Sequence, residues 1–78
     1  MGKAKFIDKI KTLFGYEIPE DKTNKTVVKE LVEKLKIKRI DLKKELKSET
    51  DIIHREALKD SLKILKKQIK KGEDLLKE

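Results

Sequence analysis

Apolar residues recur at helical spacing in three separate stretches of the chain. In residues 3–14, bulky apolar side chains follow one another at intervals of three and four, which places them on one face of an α-helix. This face consists of Phe6, Ile7, Ile10, Leu13 and Phe14. Lysines occupy the other faces, and Gly15 follows as a typical helix C-terminus. The pattern predicts a short amphipathic helix over residues 3–14.

Residues 15–25 carry no helical pattern and include Gly15 and Pro19, two residues that interrupt regular structure. We therefore predict a linker over this range. Thr23 or Asn24 suits the N-cap of the next helix, because an oxygen of either side chain can accept a hydrogen bond from a first-turn amide.

Two longer apolar stripes follow, over residues 26–47 and 51–77. The first stripe consists of Val28, Leu31, Val32, Leu35, Leu42 and Leu46, with Lys38 or Arg39 in one intervening position. The second consists of Leu58, Leu62, Leu65, Ile69 and Leu76, with Gly72 at a skipped position and with Ala57, Ile64 and Leu75 widening the face. This alternation of four and three residues is a heptad-like seam. Ile37 and Ile40 lie outside the first stripe.

Local sequence does not decide whether residues 26–76 form one helix or two, since no Gly or Pro separates the stripes. In a continuous helix the stripes would point about 140° apart, at about 100° per residue. A break between Lys47 and Asp51 lets them face each other, with Ser48 or Thr50 as N-cap and Asp51 in the first turn. This favours an antiparallel hairpin, with a continuous helix as the alternative. The predicted fold is all-α: one small domain over residues 1–78, coiled-coil-like and assembling into a helical bundle.

Composition narrows the possible classes of protein. The 78 residues include 22 Lys and Arg against 15 Asp and Glu, a net charge of +7, and they contain no Cys. Disulfides, thiol chemistry and Cys-ligated metals are thereby excluded. Apolar runs never exceed two residues, so we expect no membrane-spanning helix, no secretory signal and a cytoplasmic location. A chain this short has a thin core and often self-associates in order to fold.

Catalysis has little support in the sequence. His54 is the only histidine, and Ser61 shares its helix face at a distance of two turns, beyond direct contact. Asp51, Glu45 and Glu49 could join His54 in a metal site, but only one Asp-x-x-His occurs, and we expect a solvated histidine there instead. Glycine-rich phosphate loops are absent as well. We therefore predict no enzyme, no catalytic or metal-binding residue and no cofactor.

The leucine-rich seam is the strongest functional signal. A two-helix hairpin leaves one flank of each stripe open, and a second copy of the chain would cover it in a symmetric assembly. The predicted interface consists of Val28, Leu31, Leu35, Leu42, Leu58, Leu62, Leu65, Ile69 and Leu76. We predict a protein–protein interaction module that forms a homo-oligomer, with a dimer favoured. Another protein is the alternative partner.

Two further functions stay open. The face between Lys59 and Lys71 is a candidate nucleic-acid patch because residues 61–72 contain no acid, and its lysines can neutralise phosphates. The favoured alternative is an ordinary solvated lysine face, since the chain has only two Arg and few aromatic residues for base contacts. The patch consists of Lys63, Lys66, Lys67 and Lys70. The apolar face of residues 3–14 could instead lie on a membrane surface, as in a peripheral adaptor, or bind a partner's groove. We favour packing of this helix on the hairpin as a third helix over both of these alternatives.

Overall fold

The chain folds into three α-helices in a computed structural model that describes residues 2–19 and 21–77. Helix α1 spans Gly2–Phe14, α2 spans Asn24–Ser48 and α3 spans Ile52–Lys77. Helices α2 and α3 pack closely as a hairpin, so the continuous helix is excluded and the predicted all-α fold is confirmed. The helix bounds differ from those in the sequence analysis by one or two residues.

Two of the predicted helix boundaries have the expected geometry. Gly15 has a φ of +66°, in the left-handed region that favours glycine, and its amide donates to the carbonyl oxygen of Lys11 at 2.8 Å. The Thr23 hydroxyl accepts a hydrogen bond from the amide of Thr26 at 3.3 Å, which makes Thr23 the N-cap of α2. The sequence therefore specifies both ends of the linker locally.

The predicted N-cap of α3 was wrong. Neither Ser48 nor Thr50 caps this helix; the Asp51 Oδ1 atom accepts from the amides of Ile53 and His54, at 2.9 and 3.3 Å. A carboxylate in this position both satisfies two free amides and faces the positive end of the helix dipole. Asp51 therefore lies one position before the helix, where a first-turn residue was expected.

The hydrophobic core lies where all three helices meet. Its buried members are Phe6, Ile7, Ile10, Val27, Val28, Leu31, Val32, Leu35, Leu65, Ile69 and Leu75. Gly72 permits this meeting, because a Cβ atom there would come within 2.5 Å of Val32 Cγ2 and 2.9 Å of Phe6 Cζ. Of the alternatives for the N-terminal helix, the structure shows packing on the hairpin.

The hairpin has two distinct halves. The three-helix half comprises residues 2–19, 21–36 and 64–77, and it holds the whole of this core. The two-helix half comprises residues 37–63, in which Leu58 is the one buried apolar side chain. Four isoleucines of the two-helix half are exposed: Ile37, Ile40, Ile52 and Ile53. The position of α1 therefore decides where apolar surface is covered.

Candidate nucleic-acid interface

Helices α2 and α3 together line a groove of about 520 Å³ that is rich in cations. We call it the basic groove; its lining residues are Arg39, Lys63, Lys66, Lys67, Ile69, Lys70 and Glu73. All four lysines of the predicted patch are among them. The predicted patch lay on α3 alone, and Arg39 of α2 is an additional cation that the structure brings to it.

Heptad positions explain why these side chains converge. Ile69 is only 5% exposed and belongs to the core, so the residues beside it on α3 border the contact with α2. Arg39 occupies the position on the α2 stripe where an apolar residue would be expected, and it is half-buried. A long cationic side chain in such a position packs its aliphatic part and keeps its charge at the surface. The groove thus borders the contact between α2 and α3, and Ile69 is the core residue that also lines it.

The charge of the groove is strongly positive. Five cations line it against the single acid Glu73. The Glu73 Oε2 atom lies 3.4 Å from Lys36 Nζ, so a cation at the edge of the groove already offsets this negative charge. A smaller adjoining cavity of about 200 Å³ is lined by Lys36, Arg39, Ile40 and Lys43. Positive charge therefore extends from α3 across onto α2.

The basic groove opens on the side of the hairpin that α1 does not cover. Leu75 lies next to α1, since a Cβ atom at Gly2 would come within 2.8 Å of its Cδ2. Lys66 precedes Leu75 by nine residues, which is about 180° around a helix. The groove lysines are thus accessible while the apolar residues behind them stay packed.

Aromatic side chains lie outside the groove lining. Phe14 and Tyr16 stack on each other with their ring centroids 5.9 Å apart, and Lys34 Nζ lies 5.6 Å from the Tyr16 ring centroid. Burial raises the pKa of the Tyr16 hydroxyl, so it stays protonated at neutral pH. The groove itself offers cations and aliphatic surface, which suit phosphates rather than stacked bases.

The predicted interface residues lie inside the chain. Six of the nine are buried in the hairpin: Val28, Leu31, Leu35, Leu58, Leu65 and Ile69. The other three, Leu42, Leu62 and Leu76, are half-buried. The seam thus joins α2 to α3 within one chain. Self-association stays a prediction, and it requires a different surface.

The apolar face of α1 is mostly covered as well. Phe6, Ile7 and Ile10 are buried, Phe14 is half-buried, and Leu13 is 46% exposed. Little of this face is open to a membrane surface or a partner groove in the packed arrangement. None of the helices in the described part of the chain has the length and apolarity needed to cross a membrane.

His54 belongs to a polar cluster at the hairpin turn. Its Nδ1 atom lies 2.5 Å from Glu49 Oε2, and its Nε2 atom lies 3.9 Å from Glu45 Oε1. The other Glu49 oxygen accepts from the amides of Asp51 and Thr50, at 2.9 and 3.0 Å. The Asp51 amide, then the bond to His54, lowers the pKa of Glu49 below its ordinary value. These contacts close the turn.

No grouping of three or more acidic or histidine side chains suited to a metal ion occurs within residues 2–19 and 21–77. No protein-family model matches the chain, and comparisons with curated proteins and with solved structures gave no match. The fold and the groove define a small three-helix bundle with a cationic cleft.

Proposed function

We propose that the protein binds the phosphate backbone of double-stranded nucleic acid in the basic groove, without reading base sequence. The observation that supports this most directly is the convergence of Arg39 from α2 with four lysines of α3 on one groove. Cations neutralise phosphates and release condensed counterions, which supplies most of the affinity in sequence-independent binding.

The residue types in the groove favour backbone contacts over base readout. Specific base contacts usually come from Arg, Asn or Gln, and Arg39 is the one such side chain in the groove lining. Gln68 lies nearby in sequence, but it is buried at 7% exposure and faces the interior. Lysine is a compact charge on a flexible stem, which suits phosphates presented at varying positions.

The basic groove is better placed to act than the leucine-rich seam. The seam residues are packed within the chain, whereas Lys63, Lys66, Lys67 and Lys70 are exposed. A surface must be accessible before a partner can bind it. The protein therefore acts as a small accessory protein on nucleic acid, with the buried seam holding the groove's two walls together.

Fluorescence polarisation with a labelled duplex of random sequence tests the proposal. Binding should be measurable at about 50 mM salt and fall steeply with added salt, with a log–log slope near −4.5 for about five phosphate contacts. A second duplex of different sequence should bind within about threefold, because backbone contacts carry no sequence information. Absence of binding at low salt would overturn the proposal.

A charge-matched pair of variants locates the site. The groove variant replaces Lys63, Lys66, Lys67 and Lys70 with Gln. The control also replaces four lysines with Gln: Lys5, Lys9, Lys25 and Lys38. These lysines are exposed and lie outside the groove lining, so the control has the same net charge as the groove variant. We expect the groove variant to lose about 100-fold in affinity and most of its salt slope, and the control to lose less than about tenfold.

Equal losses in the two variants would mean that net charge, and not the groove, carries the affinity, which would contradict the proposal. Circular dichroism verifies that both variants stay helical. Anionic phospholipid vesicles serve as a third probe, since lysines also attract lipid headgroups. Binding to vesicles without binding to duplex would reject nucleic acid as the ligand.

A further inference from the structure

A second heptad seam runs along α2 on the face turned away from α3. We call it the outer seam; it consists of Glu30, Glu33, Ile37, Ile40, Lys44 and Lys47. The spacing alternates between three and four residues, as in a coiled-coil contact face. Ile37 and Ile40 form its centre and are 61% and 54% exposed. Tyr16 of the linker lies at the edge of Ile37, where both line one small cavity, and leaves the rest of the pair open. Two adjacent exposed isoleucines on a face with this spacing form an apolar strip that a second helix could cover.

The charges of the outer seam specify the direction of that partner. Acids occupy its N-terminal end and lysines its C-terminal end, with the isoleucines between them. A parallel copy of α2 would place Glu33 opposite Glu33 and Lys44 opposite Lys44. An antiparallel copy would place Glu33 opposite the partner's Lys44 and Ile37 opposite the partner's Ile40. Like charges disfavour the first arrangement, and opposite charges favour the second.

We infer that two copies of the chain form a symmetric dimer, in which the outer seams of their α2 helices pack antiparallel about Ile37 and Ile40. The contact is self-complementary, as a two-fold interface requires. Its occupant is a second copy of this chain, because the same seam supplies both the acidic and the basic half. This goes beyond nucleic-acid binding, and it does not depend on it.

The side chains that would pair across the interface are available. Glu33, Lys44 and Lys47 are exposed and form no ion pair within the described residues. Glu30 is half-buried, and its Oε1 atom lies 2.6 Å from Lys22 Nζ, so it is partly engaged already. Glu33 with the partner's Lys44 is therefore the pair on which the contact depends most.

The shape of the chain leaves surface for such an interface. Its solvent-accessible surface is 5916 Å², against about 4,900 Å² for a typical folded monomer of this mass. The radius of gyration is 13.7 Å, against about 11.5 Å for a compact chain of this length. The excess surface of about 1,000 Å² is of the same order as the roughly 800 Å² that each partner buries in a standard interface.

The dimer would join the two basic grooves. The two-fold axis of such a dimer runs between the two α2 helices, perpendicular to both. The flank of one α2 helix that borders its groove therefore points in the same direction as the corresponding flank of the partner's α2 helix. Lys36, Arg39 and Lys43 flank the outer seam on the groove side, so both grooves would open on one face and both α1 helices would lie on the other. Lys36 would approach the partner's Lys43, a repulsion that a bound polyanion relieves. This last consequence alone depends on the proposed function.

Sedimentation equilibrium on charge-reversal variants tests the dimer. Wild type should reach the dimer mass at concentrations below about 1 mM, the range of weak specific complexes. Glu33→Lys and Lys44→Glu should each weaken dimerisation about tenfold, because each turns two attractive pairs into repulsive ones. The double variant E33K/K44E should recover wild-type affinity, since opposite charges again face each other. Asp60→Lys changes the net charge by the same amount as Glu33→Lys; it is the control for that variant and should leave dimerisation unchanged.

A second pair of variants tests the apolar centre. Ile37→Asp should abolish the dimer and leave the fold intact, because this side chain is 61% exposed in the monomer. Ile53→Asp is the control: Ile53 is 83% exposed but lies on α3, outside the outer seam. Monomeric wild type at about 1 mM would overturn the proposal. So would a dimer that resists Glu33→Lys, a double variant that fails to recover, or equal loss in the two isoleucine variants.

Discussion

The three-helix half and the two-helix half of the hairpin contain similar residues and bury them differently. In the three-helix half, Phe6, Val28 and Leu35 are fully buried, because α1 covers the flank that a hairpin leaves open. In the two-helix half, Ile40 is 54% and Ile53 is 83% exposed. Two helices bury one stripe each, and a third layer is needed to bury more. The three-helix half therefore supplies most of the apolar burial, while the two-helix half presents the more exposed isoleucines.

In the two-helix half, polar contacts at the turn add to the packing of Leu42, Leu58 and Leu62 between α2 and α3. At its turn, Arg55 donates to the carbonyl oxygens of Leu46 and Glu49, at 3.1 and 2.9 Å, and so satisfies the end of α2. Asp51 satisfies the start of α3. Such contacts contribute about 1 kcal/mol each, less than the burial of a large apolar side chain. We expect local opening to begin at the turn.

The largest loss of stability should follow a substitution that removes the contact of α1 with the core. Phe6→Ala removes a fully buried aromatic side chain, and we expect it to lower the free energy of unfolding by about 3–5 kcal/mol. Urea denaturation followed by circular dichroism measures this. Ile53→Ala is the control in the other half, with an expected change below about 0.5 kcal/mol. Similar losses in both variants would contradict the contrast between the halves.

A smaller loss of stability should follow the substitution Gly72→Ala. Alanine is the better helix former by about 1 kcal/mol, but its Cβ atom would come within 2.5 Å of Val32 Cγ2. We expect overpacking to prevail and to destabilise the fold by about 1–3 kcal/mol. Lys71→Ala, at the adjacent exposed position, serves as the control and should be near neutral. A thermal melt that rises for Gly72→Ala would show that the three helices do not meet there.

In the two-helix half, Asp51→Ala should cost about 1 kcal/mol through loss of the N-cap. The loss should be local, so amide hydrogen exchange is the suitable measurement. Protection of residues 52–55 should fall, whereas that of Val28 and Leu65 should change much less. Asp60→Ala, within α3, should leave both regions unchanged. Uniform loss of protection along the chain would show that the halves open together.

The smallest effect concerns pH at the same turn. The pKa of Glu49 is lowered from its ordinary value of 4.5 by the Asp51 amide and by His54. A lowered pKa in the folded state stabilises the protein above the unfolded pKa, and this stabilisation is lost as the pH falls through the folded pKa. Glu49→Gln should therefore make the turn less stable than in wild type at neutral pH, and this difference in stability should vanish in acid, where Glu49 is protonated. Exchange at Thr50 and Asp51 measures it, and a difference that persists in acid would contradict the assignment.

Local signals made the helices and most of their ends predictable from the sequence. The heptad spacing located the α2 and α3 stripes, and Gly15 and Thr23 marked boundaries by their own chemistry. Asp51 was missed as a cap because Ser, Thr and Asp all suit that role, and the choice depends on where the turn closes.

Which residues outside the predicted stripes are buried depends on where α1 packs on the hairpin. No local sequence pattern determines that position. Val27 is only 3% exposed, although it lies outside the predicted stripe. Gln68 is buried, and its Oε1 atom has no hydrogen-bond partner in the described part of the chain. The groove was predictable in part: its lysines stand out as a run without acids, whereas the role of Arg39 required the register between α2 and α3.

Nuclear magnetic resonance titration of the isotope-labelled protein with a short random-sequence duplex would test the function most directly. Amide shifts report which residues meet the ligand. We predict that the largest changes fall on residues 61–72 and around Arg39, and that they diminish with salt, while α1 and the linker stay nearly unchanged. Shifts centred on α1 or the hairpin turn, or no shifts at low salt, would contradict the assignment of the groove as the binding site.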